Sequence, residues 1–408
     1  MLRSFALVLL LAAPLWAGET PPRALELNEA GAKLYGRGDY EAAQGRFREA
    51  YTLAPEDPTI RRNLAYCLLR LGDQLLLRND PGRALRDYGE AGSLIPTDWA
   101  PRFREGLALF RARRDREAGT TLERALADHP ERVDGWELLA LVRYRLGENA
   151  AAIEAWERAL RLDPKNERLR QDLARARREE RVEGQLFLDQ STPHFAIKYD
   201  GARDAALGKR IGTLLEEAYR VVGGLLGRYP SQELAVVVYP GQTFRALTGS
   251  HAWVGALYDG KIRIPAKGLA QAPAASLQRL LRHEYAHALL HALGGPKLPA
   301  WLQEGFAQLA EGRAAASALS ELRQLGGQVP SLSELSQPFS EVKEAKEAKR
   351  RYAAACLFFH HLVAQHGMPA VAAAVEAMGE GKPADAAWRS ATTRTPAELH
   401  AEWLGTLR

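Results

Sequence analysis

Five consecutive residues, His283-Glu284-Tyr285-Ala286-His287, have the types and spacing that hydrolytic metal chemistry needs. On a helix, a spacing of four stacks both imidazoles on one face about 6 Å apart along the axis, close enough to share one tetrahedral Zn2+. Glu284 projects beside them and is placed to act as general base on a zinc-bound water. His291 continues the same face but is eight residues from His283, about 12 Å of helix, so those two cannot hold one ion. It reads as a residue that packs beside the pair or supports it. A hydrolytic zinc takes three protein ligands and keeps one position open. The following segment, 299–308 (PAWLQEGFAQ), offers Glu304, on the side shared by Trp301 and Gln308. Gly305 costs that helix about 1 kcal/mol relative to Ala, which fits a close approach of two helices at the ligand.

These side chains need elements to hold them. Pro273 and the pair Gly294-Gly295 bracket the motif as start and stop signals, predicting a helix over 273–293. The break at 294–296 turns the chain back, so the helix carrying Glu304 must lie beside the first. Upstream, 194–200 (HFAIKYD) and 233–239 (ELAVVVY) read as strands around a helix at 205–226. Asp259-Gly260 is a hairpin signal within GALYDGKIRI. The strand before the zinc helix, within 255–265, is expected at the sheet edge, open to an extended peptide. Lys261 and Arg263 would alternate on one of its faces as protection against unwanted pairing. After the site, 341–351 (EVKEAKEAKRR) reads as a solvated charged helix. Tyr352 begins an apolar helix with Cys356, Phe359 and Leu362. An α+β domain over 184–408 follows from this grammar.

The first half is periodic. Pro96, Pro130 and Pro164 are 34 residues apart. Trp136, Leu139, Gly147, Ala152, Trp156, Ala159 and Pro164 recur in weaker form in three earlier units, so residues 20–183 resemble a tetratricopeptide array. Small residues at Ala43, Ala84, Ala118 and Ala152 let paired helices approach. The 41 residues between Pro55 and Pro96 imply one or two inserted helical turns. Residues 166–183 (NERLRQDLARARREERVE) suit a terminal capping helix with a solvated outer face, whose arginines either stay in water or meet an acidic partner. The fold class expected is multidomain: an all-α tetratricopeptide solenoid followed by an α+β domain, which its H-E-x-x-H helix makes similar to zincin-like metallopeptidases.

H-E-x-x-H with a Glu 17 residues beyond His287, inside a W-L-x-E-G-x-A segment, resembles the gluzincin branch of zinc metallopeptidases. The resemblance implies that His283, His287 and Glu304 hold zinc and that Glu284 is the general base. The chain lacks the Asn before and the Ser-Asp pair after the third ligand that one branch carries. It also lacks a G-x-M-E-N strand, since 255–259 (GALYD) has no Glu, which implies an endopeptidase rather than an aminopeptidase. Related peptidases often draw an oxyanion-supporting Tyr from a later helix. Tyr352 fits that role or that of a core tyrosine, with His360 and His361 as rivals.

Of the 408 residues, 46% are hydrophobic and 26% charged, which excludes collagen-like, wholly disordered and polytopic membrane chains. A net charge of +5 is too dilute to imply a nucleic-acid partner. Residues 1–17 (MLRSFALVLLLAAPLWA) read as a signal peptide, too short for a spanning helix, so the mature chain is expected exported, periplasmic or secreted, without a transmembrane span. Cys67 and Cys356 are expected as buried free thiols. The function expected is an exported zinc metallopeptidase acting on protein or peptide substrates, with the repeats recruiting a protein partner or substrate. The alternative is a non-enzymatic scaffold for envelope protein assembly.

Overall fold

The computed structural model describes residues 20–407 except 190–191, 202, 231–232, 241–242, 249–255, 259 and 296–297. The expected signal segment 1–17 and the turn residue Asp259 therefore lie outside the described residues. The chain divides into two compact units, Met1–Val142 with Arg158–Lys165, and Arg143–Glu157 with Asn166–Arg408.

The first unit is built of helical hairpins. Helices α1 (Pro22–Gly36), α2 (Tyr40–Leu53), α3 (Pro58–Leu77), α4 (Pro81–Leu94), α5 (Trp99–Arg111) and α6 (Asp115–Asp128) each pack against the next. Asp39, Asp57, Asp80 and Asp98 cap α2 to α5 by accepting backbone N–H bonds. The pairing depends on a missing side chain. A Cβ on Gly31, Gly72 or Gly106 would come within 2.8 Å of Phe47, 2.4 Å of Tyr88 and 2.8 Å of Leu122, respectively. The large residue always lies sixteen positions later and fills the space the glycine leaves. The insertion between Pro55 and Pro96 is accommodated in α3, which has 20 residues against 13 in α5, about two extra turns. Helices α7 (Val133–Arg145), α8 (Asn149–Leu162) and α9 (Glu167–Glu183) follow along the chain.

The second unit contains a five-stranded sheet of order β1-β2-β3-β5-β4: β1 (Phe187–Asp189), β2 (Phe195–Tyr199), β3 (Leu234–Tyr239), β5 (Ile262–Pro265) and β4 (Leu257–Tyr258). Strands β2, β3 and β5 run parallel, while β1 and β4 are antiparallel edges. Side chains alternate across the pleat. Val236, Val238, Ile262 and Ile264 join the core formed with α10 (Ala205–Leu226) and α12 (Ala274–Gly294), whereas Val237 and Tyr239 meet Phe244 of α11 (Thr243–Thr248) and Val182 of α9.

Two expectations about the sheet are corrected here. Strand β5 is not an edge, because β3 pairs with one side of it and β4 with the other. Lys261 and Arg263 are not edge protection, since each is only 2% exposed. Lys261 bonds Asn149 at 2.8 Å and lies 3.4 and 3.3 Å from Glu179 and Glu183; Arg263 lies 3.1 Å from each glutamate. Tyr144 donates to Glu179 at 2.7 Å, Asn149 donates to Glu183 at 2.8 Å, and the Tyr239 hydroxyl donates to Glu183. This network makes α9 part of the unit that holds the sheet, which accordingly starts before residue 184. It also gives one face of the expected capping helix a buried ionic contact.

Beyond α12 come α13 (Ala300–Ala310), α14 (Ala315–Gln324), α15 (Leu332–Ser336), α16 (Ala345–Gly379), α17 (Ala384–Thr392) and α18 (Pro396–Thr406). The charged segment from Ala345 onward and the apolar helix expected at Tyr352 are one helix, α16, while 342–344 lie outside it; α16 bends where Gly367 adopts φ 76° just before Pro369. Cys67 and Cys356 are buried and free. Among the described residues, no helix is long and apolar enough to cross a membrane.

Candidate metal centre

Helix α12 starts after Pro273 and ends at Gly295, whose φ of 75° suits glycine. Glu284 and Tyr285 turn into the protein, while His283 and His287 remain partly accessible on the neighbouring face. The chain then turns back into α13, packed against both α12 and α16. Gly305 permits the second contact: a Cβ there would be 2.5 Å from Phe359 Cβ and 2.9 Å from the Ala355 carbonyl oxygen. The close approach inferred at this glycine is therefore with α16, and it presents the preceding residue, Glu304, to the two histidines.

The three candidate ligands converge. His283 Nε2 lies 3.2 Å from His287 Nε2, and Glu304 Oε2 lies 3.6 and 3.7 Å from these two nitrogens. With metal–ligand bonds of about 2.1 Å, ligand atoms around a tetrahedral zinc are about 3.4 Å apart, so the triangle has the right size. The Glu304 oxygen is buried without a hydrogen-bond partner, a costly arrangement for an isolated carboxylate oxygen and a natural one for a metal ligand. The donor set and the orphaned oxygen fit zinc. Among the described residues, these three form the one cluster of three or more His, Cys, Asp or Glu donors close enough to share an ion.

Around them sit groups that the motif does not name. His283 Nδ1 donates to Glu311 Oε2 at 3.2 Å, which leaves Nε2 facing the other ligands. Glu311 is seven residues beyond Glu304, two turns along the same helical face; that periodicity was the signal available for it. The buried Gln308 donates from Nε2 to the Glu304 carbonyl at 3.1 Å and the Tyr352 carbonyl at 2.9 Å, tying α13 to α16. Burial pushes the Glu284 carboxyl up to about 7; His283 opposes this rise, and Glu304 and Glu311 add to it. Burial lowers His287 to about 4, favouring the neutral imidazole that ligates metals.

Tyr352 lies in the first half of α16, its ring edge-on to Phe339 at 5.1 Å. Burial raises its hydroxyl pKa, as do the charges of Glu304 and Glu284, so it is within electrostatic reach of both carboxylates. His291 is elsewhere, edge-on to Tyr258 with ring centroids 5.4 Å apart. His360 Nε2 donates to the Arg313 carbonyl at 2.9 Å, and the buried His361 Nε2 has no partner. Neither joins the donor cluster.

Two models described as tetratricopeptide repeat match the chain, over residues 34–73 and 103–167. No curated protein matches it. Similar solved structures include a double mutant of MamA RS-1, 22% identical, covering 40% of this chain and 87% of that one with a TM-score of 0.34. Another is TTC0263, a thermophilic repeat protein of Thermus thermophilus, 23% identical, covering 38% and 98%, TM-score 0.24. A third is pilF of Pseudomonas aeruginosa, 24% identical, covering 39% and 69%, TM-score 0.30. The two family matches give the chain tetratricopeptide repeats, which support binding of a protein partner.

Proposed function

We propose that the chain is an exported, periplasmic or secreted zinc-dependent peptidase of the gluzincin kind, in which the repeats recruit a protein substrate or partner. The observation supporting this reading is the convergence of His283, His287 and the orphaned Glu304 oxygen beside a buried Glu284. In it, His283, His287 and Glu304 would hold the metal, which when bound polarises a scissile carbonyl and acidifies water. The chain's own residues supply the rest. Glu284, with its carboxyl near 7, takes a proton and returns it to the leaving amine. Glu311 fixes the ring of His283, and Gln308 holds α13 to the backbone of Tyr352. The Tyr352 hydroxyl, kept protonated by burial and two nearby carboxylates, is a donor suited to a developing oxyanion.

The second reading, a non-enzymatic scaffold for envelope protein assembly, is favoured by the repeats, since both family matches are to tetratricopeptide repeats and end by residue 167. A structural zinc ordinarily takes four protein ligands and no base, whereas the described donor cluster has three beside a buried Glu284. Zinc content and peptide cleavage, measured on wild type and Glu284→Gln, separate the readings. A peptidase binds zinc in both proteins and cleaves only as wild type. Zinc binding without cleavage by wild type identifies the scaffold.

A further inference from the structure

We infer that the outward face of α9 is a docking site for an acidic, extended segment of a partner protein. A cavity of about 660 Å³ opens there, lined by Ile153, Ala174, Arg177, Arg178, Glu180 and Arg181. Residues 174, 178 and 181 share one helical face, and 177 and 181 are one turn apart, so three guanidiniums surround a floor formed by Ile153 and the small Ala174.

The charge of this face follows from the sheet. Helix α9 has six arginines and five acidic residues. Two of the acids, Glu179 and Glu183, are turned inward onto Lys261 and Arg263. Only Glu167, Asp172 and Glu180 remain on the solvent side, an excess of three positive charges. Arg177 is held by Glu157 at 2.7 Å, whereas no partner is found for Arg178 or Arg181 among the described residues.

Guanidinium forks match carboxylates in two-point bonds. The apolar floor has room for the aliphatic parts of a peptide between its acidic side chains. Buried ion pairs behind the helix hold its backbone in place, so little ordering is left to be done on binding. A nucleic acid would call for a long basic stripe, and this is a short cluster around an open depression. The site is separate from the metal ligands, and most of α9 lies past residue 167, where the family matches stop.

The test is fluorescence anisotropy of a short labelled peptide alternating Glu and Leu, titrated with the full chain carrying Glu284→Gln so that cleavage does not intrude. The expected result is binding that weakens with salt and falls at least about tenfold in Arg178→Glu/Arg181→Glu. Arg178→Lys/Arg181→Lys should lose less, because the charge stays while the fork is lost. Far-UV circular dichroism and the unfolding midpoint should match wild type, since both positions are exposed. Should the reversal disturb folding, Arg178→Ala and Arg181→Ala decide: unchanged affinity in both overturns the proposal. It is equally overturned if wild type ignores the peptide, or binds a Lys-Leu peptide or anionic vesicles in its place.

Discussion

Glu304 faces both imidazoles, Glu311 faces only that of His283, and Glu284 follows His283 in the chain, buried, so their environments assign them different work. Glu284→Gln is expected to retain zinc and to lose about 10²–10⁴ in turnover, the usual contribution of a general base; equal turnover would remove it from the chemistry. Glu304→Ala should lower zinc occupancy after dialysis, while His291→Ala should not, because His291 packs on Tyr258 away from the cluster. Glu311→Gln keeps a hydrogen-bond acceptor for His283 but removes its charge. It should weaken zinc affinity about 10–100-fold, measured by competition with a chromogenic chelator. The histidine pair was legible because a helical spacing of four is a local rule, and Glu304 because the chain break at 294–296 folds its helix back beside the first. Glu311 was legible only in outline, since its spacing places it on the face of Glu304 without naming His283 as its partner. The role of Tyr352 was open because two elements distant in sequence, α13 and α16, determine which carboxylates it meets.

Among the elements, α13 is constrained most tightly. Gly305→Ala gains about 1 kcal/mol of helix propensity but places a methyl 2.9 Å from the Ala355 carbonyl, a backbone atom unable to rotate away. A net loss of about 1–3 kcal/mol is expected, with weaker zinc binding because Glu304 moves with the helix; a variant with an unchanged urea midpoint and full zinc occupancy would contradict this packing. Strand β5 and helix α9 make the second test. Glu183→Ala leaves Lys261 and Arg263 with an uncompensated buried charge and should cost about 3–5 kcal/mol. The pH dependence has a definite sign. Burial alone would raise the Glu183 carboxyl, but Lys261, the Tyr239 hydroxyl and Arg263 together hold it below the usual carboxylate range. A carboxyl depressed in the folded state stabilises above its unfolded value, near 4.5, and loses that contribution as pH falls through the folded value. Wild type should therefore lose stability below about pH 4 more steeply than Glu183→Gln, as followed by thermal unfolding from about pH 6 to about pH 3. The strands themselves were readable from their β-branched runs. Their order was not, because β5 inserts between β3 and β4 through contacts no local pattern encodes, and Lys261 and Arg263 read alike on a solvated edge and beneath a helix.

For the whole chain, the compact units place the division earlier than the change in sequence grammar at Gly184. Periodicity reports where helical repeats stop; it does not report that the last acidic residues of that helical run neutralise Lys261 and Arg263, 78 to 84 positions later. A fragment of residues 184–408 removes Tyr144, Asn149, Glu179 and Glu183 together and should be unfolded or aggregated. A fragment beginning at Val133, the start of α7, should show a cooperative transition and bind zinc. The reverse result would show that the ionic network is dispensable to the second unit. The same network has a consequence for biosynthesis. Proteins emerge from the ribosome N-terminus first, so α9 is synthesised long before Lys261 and Arg263 exist. Until they arrive, Glu179 and Glu183 favour water over burial, and the helix end has no reason to settle. Docking of α9 is thereby deferred until β5 has been made, so the middle of the chain stays unsettled while its C-terminal half is still being synthesised.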